Sequence, residues 1–173
     1  MQALSKKEAK KLFKEQPKRE QHVELVLENI QYARNVAGMF RTADAAGVSK
    51  IYLTGISQKP PFGKELRQVS RSKEKSVHWQ HVTKEDTASL MEKLKREDFY
   101  IIAIEIAENA HSLSELPKLI SGKEKICFVA GSEVFGVTKS MLQYCDTAIF
   151  IPMYGKGASL NVTTSVGIAL YSF

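Results

Sequence analysis

Hydrophobic positions along the chain follow two periods that alternate. Short runs rich in Val, Ile, Phe and Tyr predict strands: "HVELVLEN" (22–29), "SKIYLTG" (49–55), "SVHWQHV" (76–82), "FYIIAIEIA" (99–107), "KICFVAG" (125–131) and "TAIFIPM" (147–153). Between them, 33–46, about 63–73, 84–97 and 137–144 carry apolar residues at helical spacing, and 160–172 forms a last such segment. This alternation predicts an α/β fold, a parallel sheet with crossover helices on both faces. Segment 56–75, with "KPPFG" and a basic stretch, is the one connection expected to be flexible. Residues 1–20 are expected to form a basic, helical extension outside the sheet, and 21–173 a single domain. There is no internal repeat and no low-complexity tract.

A chain of 173 residues with 43% hydrophobic and 25% charged residues is long enough for one domain with a real core. Its longest apolar runs, such as "FYIIAI", are strand-sized. They fall well short of the roughly 18 residues a bilayer span needs. The first 20 residues are charged, unlike a secretory signal. Cys127 and Cys145 form no CxxC pair and read as reduced, packed thiols. The expectation is a cytoplasmic protein with no membrane partner. His22, His78, His81 and His111 show no metal-ligand spacing, and His78 and His81, three apart in a strand, face opposite sides. No metal is expected.

The net charge of +6 is local. Residues 1–20 hold seven Lys/Arg against three Glu, and "KELRQVSRSKEK" (64–75) holds five basic residues against two acidic ones. The remainder of the chain is close to neutral. Basic stripes on a neutral body suggest a polyanion, nucleic acid first, with Lys10, Lys11, Lys14, Arg67 and Arg71 as candidate contacts. The plain alternative is a solvated helix face with i,i+4 Lys/Glu pairs.

Ligands of open parallel sheets bind beyond the carboxyl ends of the strands. Two glycine-bearing loops lie there. One is "AGSEVFG", a Gly131-x-Glu133-x-x-Gly136 pattern; the other is "PMYGKGASLNVTTSVG". Each alone reads as a tight βα turn. The second places Ser159 and Asn161 at a helix N-terminus, where side-chain oxygens cap orphan amides and a carboxylate ligand is favoured. In the first helix, "NVAGMFRTADAAG" (35–47) keeps Asn35 and Arg41 beside its apolar stripe of Val36, Met39, Phe40, Ala43 and Ala46.

Taken in series, these segments resemble the SpoU/TrmH-type RNA 2′-O-ribose methyltransferases of the SPOUT superfamily. The residues that carry the resemblance are Asn35-x5-Arg41-Thr42-Ala43, Gly131-x-Glu133-x-x-Gly136, and Ile151-Pro152-Met153 with Ser159-Leu160-Asn161-Val162. It runs from about residue 22 to 173. It implies S-adenosylmethionine as methyl donor, a deep trefoil knot in the C-terminal third, and a homodimer with active sites at the interface. The substrate class implied is tRNA or rRNA.

By the same resemblance Arg41 is the catalytic arginine and Asn35 the asparagine beside it. Methyl transfer to a ribose needs the weakly acidic 2′-hydroxyl positioned and helped to lose its proton. Family mechanisms make the arginine a base after it hands a proton to an RNA phosphate. A guanidinium that grips that phosphate and stabilises the alkoxide does similar work while staying charged. Glu133 orients the site, Asn161 braces Arg41 or the donor's amino-acid end, and Ser159 bonds the reacting ribose. Ala130, Gly131, Ile151, Met153, Ser159 and Leu160 hold the donor, with an apolar slot for adenine.

The sequence departs from the family at Ser132, where asparagine is common, and at Phe135, where a small or polar residue is usual. "QVSRSKE" (68–74) replaces a "KTALGAE"-like segment. No C-terminal RNA-binding extension is expected, the basic N-terminal segment taking its place. The alternative function is a noncatalytic RNA-binding protein on the same scaffold. The apolar run "VGIALYSF" is the candidate dimer face, because so apolar a terminal helix needs a cover.

Overall fold

The computed structural model describes residues 2–17 and 19–173; Lys18, one of the cations of the basic extension, lies outside the described residues, as does Met1. Two strands are almost wholly buried, β1 (His22–Glu28) and β6 (Lys125–Ala130), and they pair in parallel at the middle of the sheet. Apolar residues on both faces put them there, since a central strand meets helices on each side. Around them β2 (Lys50–Thr54), β3 (His78–Val82), β4 (Tyr100–Ile104), β5 (His111–Ser112) and β7 (Thr147–Phe150) complete a seven-stranded sheet. Its order is β3-β2-β1-β6-β4-β7-β5, and all six pairings are parallel. The register levels the carboxyl ends: Glu28 lies opposite Thr54, Leu27 opposite Ala130, and Ile104 opposite Ile149.

Helices cover both faces, as the alternation predicts. On one face α2 (Ala33–Ala46), α3 (Lys64–Ser70), α5 (Leu116–Leu119) and α7 (Val162–Leu170) enclose a core with Phe40 and Phe128 at 0% exposure. On the other, α4 (Thr87–Arg96) and α6 (Lys139–Leu142) pack Met91, Leu94 and Met141 onto Val26, Ile101 and Val129. Burial of each large apolar side chain stabilises the fold by about 1.5–3 kcal/mol. Gly47, at φ 72°, ends α2 in the left-handed conformation and donates its N–H back to Ala43 and Asp44. The outer helix α1 (Lys6–Glu15) starts with a capping box between Ser5 and Glu8 and buries no residue.

Several expectations change in detail. The stretch 56–75 is anchored rather than loose. Phe62 is buried edge-on against Phe40, α3 follows, and Arg71 and Ser72 both turn through positive φ into a 3-10 turn at Lys73–Lys75. The strand expected over 99–107 ends at Ile104, and the helix expected over 137–144 is only the single turn of α6. β5 and α5 were not anticipated. Arg19 does not project into solvent with the lysines of the extension. Its guanidinium donates to the Leu170 carbonyl and lies 4.2 Å over the Phe173 ring, tying the extension to the end of α7. The run "VGIALYSF" is largely covered from within: Val166, Ala169 and Leu170 enter the core, leaving Ile168 and Tyr171 exposed.

Candidate active site

At the carboxyl ends of β4, β6 and β7 lies a cleft of about 630 Å³. Its floor is the loop after β6. Ser132 and Gly136 close that loop with paired backbone bonds, Ser132 N–H to Gly136 O at 3.1 Å and Gly136 N–H to Ser132 O at 2.9 Å. The close approach explains its glycines. A Cβ on Gly131 would lie 2.1 Å from the Gly136 carbonyl carbon, and one on Gly136 2.1 Å from Glu105 Oε2. Ser132, one of the departures from the resembled pattern, serves this turn, its Oγ accepting from Val134 N–H at 3.3 Å.

Three carboxylates hold the loop and its neighbours. Glu28, buried at the end of β1, accepts from Thr138 N–H at 2.9 Å and from Thr138 Oγ1 at 2.6 Å. Glu105, directly after β4, accepts from Ile106 N–H at 2.9 Å and from Val137 N–H at 2.8 Å. Glu133 reaches from the loop to the start of α2. It accepts from Gln31 N–H at 2.9 Å, from Tyr32 N–H at 3.3 Å and from Asn35 Nδ2 at 2.6 Å. Tyr32 supplies no side-chain cap to α2, so Glu133 caps that helix from another segment. Partial burial pushes its carboxyl up, but the bonds from Asn35 and from the Gln31 and Tyr32 backbone outweigh this and hold it below its ordinary value.

A one-way relay leads into Glu133. Asn161 caps α7, its Oδ1 accepting from Thr163 N–H at 2.9 Å. That cap turns its Nδ2 toward Asn35 Oδ1, at 3.1 Å, and Asn35 in turn presents its own Nδ2 to Glu133. The cap therefore fixes the orientation of both amides. Below the relay, α2 and α7 cross closely. A Cβ on Gly38 would lie 3.1 Å from Thr163 Cγ2, and Thr163 Oγ1 donates to the Asn35 carbonyl at 3.3 Å.

Of the ten residues given a catalytic or donor-binding role in the sequence, nine line this cleft: Asn35, Ala130, Gly131, Glu133, Ile151, Met153, Ser159, Leu160 and Asn161. Arg41 does not. It is exposed on α2, roughly 9 Å further along the helix than Asn35 and about 120° round it. Of the two roles expected for Asn161, bracing Arg41 or the donor's amino-acid end, the first is not seen within the chain, where its side-chain amide donates to Asn35. Ser159 is exposed, and the cap of α7 is Asn161. Arg34, which sequence reading passed over, is exposed and shares the outer face of α2 with Arg41, seven residues or about two turns away. Glu105 and Glu28 were also passed over. The available signal was a glutamate closing each of two apolar strands.

The candidate cations Lys10, Lys11, Lys14, Arg67 and Arg71 are all exposed. Among the described residues no three His, Cys, Asp or Glu side chains converge as metal ligands, and no helix is long and apolar enough to cross a membrane. Cys127 and Cys145 are free thiols, and burial pushes Cys145 up to about 12.

Comparison with known proteins adds to this geometry. A model of the SpoU rRNA Methylase family matches residues 22–171. The 23S rRNA (guanosine(2553)-2′-O)-methyltransferase RlmP of Bacillus subtilis is 28% identical over 148 residues, covering 85% of this chain and 56% of that protein. The tRNA (guanosine(18)-2′-O)-methyltransferase of Escherichia coli is 28% identical over 155 residues, covering 89% of this chain and 63% of that one. The chain thus spans less than two thirds of these relatives. Of solved structures, the Aquifex aeolicus TrmH/SpoU tRNA modifying enzyme superposes with a TM-score of 0.75 at 26% identity, over 96% of this chain and 80% of that one. An AdoMet-bound rRNA methyltransferase from Sinorhizobium meliloti gives 0.77 at 21% identity, over 89% and 56%, a likeness of fold.

Proposed function

The chain belongs to the SpoU rRNA methylase family, and from that premise we propose that it transfers a methyl group from S-adenosylmethionine to a ribose 2′-hydroxyl of tRNA or rRNA. One observation carries the reading. Asn35, Glu133 and Asn161, from three distant segments, join in a single hydrogen-bonded relay at the cleft.

The cleft fits the donor. Its volume suits a nucleoside-sized ligand. Gly131 and Gly136 let the loop after β6 close on itself and on Glu105 at the cleft. Ala130, Gly131, Ile151, Met153, Ser159 and Leu160 would hold the donor, with Ile151, Met153 and Leu160 against adenine. When bound, S-adenosylmethionine supplies an electrophilic methyl group on a sulfonium. The chain's part is positioning. The relay sets the first turn of α2, while Ser159 stands exposed at the cleft, its hydroxyl without a partner among the described residues and available to a ribose. Arg41, with no acidic partner among the described residues, would bind the RNA phosphate beside the reacting ribose and stabilise the oxygen as its proton leaves. Lys10, Lys11, Lys14, Arg67 and Arg71 would hold more distant phosphates. In this reading 1–20 is an RNA-binding extension on the 21–173 methyltransferase domain.

A homodimer belongs to the same reading. Arg41 lies outside its own chain's cleft, and Tyr32, Ile106, Val134 and Phe135 leave an exposed apolar rim that a second copy would cover. The knot has support in the strand order. β7 sits between β4 and β5, which are consecutive in the chain, so it enters the sheet between two strands already joined to each other. A cytoplasmic site of action accords with an RNA substrate. The test is calorimetry with S-adenosylmethionine, light scattering, and mass-spectrometric mapping of ribose methylation in tRNA and rRNA incubated with the protein. Donor binding with a new 2′-O-methyl mark is the expected result. RNA binding without donor heat would favour the noncatalytic alternative.

A further inference from the structure

The residues lining the cleft include two carboxylates, Glu105 and Glu133, and, among the described residues, no Lys, Arg or His. Glu133 is taken up by the relay. Glu105 is not required by it; it stands where β4 ends, against Gly136 and Val137 at the close of the same loop. Its two oxygens each accept one backbone N–H, from Ile106 and from Val137. Its Oε2 lies so close to Gly136 that no side chain fits there. A glutamine at 105 would offer one acceptor to these two donors and turn its NH2 against the other N–H. The site is thus built around a carboxylate, not merely a polar side chain. Two carboxylates with no cation among the described lining residues set a negative potential in the cleft.

We propose that Glu105 is a specificity residue of this cleft, its carboxylate, together with that of Glu133, favouring the cationic sulfonium donor over the neutral thioether left after transfer. The inference rests on the donor assignment made above. S-adenosylmethionine carries a sulfonium, an ammonium and a carboxylate, for a net charge of +1, whereas S-adenosylhomocysteine is neutral overall; both counts follow from ordinary ionisation near neutral pH. The two differ otherwise by one methyl group. A cleft that attracts positive charge therefore releases its product more readily than it releases its donor. The same potential repels phosphate, which keeps RNA on the arginines of the outer face and out of the donor slot.

Calorimetry on the full chain tests this with three probes: S-adenosylmethionine, S-adenosylhomocysteine and sinefungin, in which a protonated amine replaces the sulfonium. The wild-type protein should prefer the donor to the thioether by about three- to tenfold, with sinefungin following the donor, and Glu105→Gln should remove most of that preference. The preference should also shrink from low to high KCl in the wild type, which a packing preference for the methyl group would not do. This arm decides the matter even if the variant folds poorly. Equal or tighter wild-type binding of the thioether overturns the proposal and leaves the donor assignment intact. So does an equal loss for all three probes in the variant, which would make Glu105 a latch for the loop alone. Binding of none of the three overturns the donor assignment and this inference with it.

Discussion

Asn35 donates its side-chain amide to Glu133 at 2.6 Å across 98 residues of sequence, and accepts in turn from Asn161 at 3.1 Å. The direction of these bonds makes a prediction. Asn161→Asp keeps an oxygen to cap Thr163 N–H but sets its other oxygen against Asn35 Oδ1. Relieving that by flipping Asn35 would set an amide oxygen against Glu133. The variant should lose about 1–2 kcal/mol, read as a fall in melting temperature of roughly 2–8 °C for a chain of this size. A melting curve matching the wild type would show that the relay contributes nothing.

Glu133 gives the relay a pH dependence. Burial opposes its ionisation, but its hydrogen bonds win and its folded pKa is lowered. Such a group contributes stability in full above its unfolded pKa, about 4.3, and the contribution is lost as pH falls through the lower folded value. Wild type and Glu133→Gln should therefore differ most in melting temperature near neutral pH and converge in acid. Calorimetric scans between about pH 3 and pH 7 test this; curves that stay parallel would refute it.

Arg41 lies outside the cleft, so binding and chemistry should separate there. Arg41→Ala and Arg41→Lys should both abolish methyl transfer, since lysine lacks the planar two-pronged donor. Donor affinity should stay within about twofold, because neither variant alters a cleft residue. Turnover near the wild-type rate in either variant would remove Arg41 from the catalytic role.

The basic extension divides in two. Deleting 2–15 removes Lys10, Lys11, Lys14 and their neighbours but leaves Arg19 on Leu170 and Phe173. That deletion should flatten the log–log salt dependence of RNA binding by roughly 2–3, at about 0.7–0.9 per lost phosphate contact, without lowering the melting temperature. Deleting 2–20 should add a loss of stability. An unchanged salt slope in both would make the extension plain surface.

Gly131→Ala should cost both stability and donor binding. Its Cβ would meet backbone atoms of Gly136 and Val137 at 2.1–2.2 Å, and backbone cannot swing aside as a flexible side chain can. Gly155→Ala is the control, since nothing lies within 4 Å of its Cβ position. Equal donor affinity in the two variants would contradict the packed turn.

Much of this was legible in the residues. The apolar stripe of α2 and the buried runs of β1 and β6 carry their periods openly. So did the two glycine loops, whose residues meet in one cleft. β5 and α5 were not legible, because two and four residues hold barely one period each, with no repeat to read. The place of β6 between β1 and β4 could not be read either, since side-chain alternation says which face is buried and not which strand is next. Arg19 was hidden among lysines, and its role depends on a carbonyl 151 residues away. Glu105 passed as the polar end of an apolar strand; only the return of the chain at Val137 gives its oxygens their donors.

The crossing of α2 on α7 bears on how the molecule is made. Residues 161–163 leave the ribosome more than a hundred residues after Asn35, and until they arrive the groove beside Gly38 stands open and the Asn35 amide is held from one side only, by Glu133. Contacts so distant in sequence form late. A nascent chain can therefore assemble most of its sheet, and the Glu133 end of the relay, while the α7 wall of the cleft is still missing.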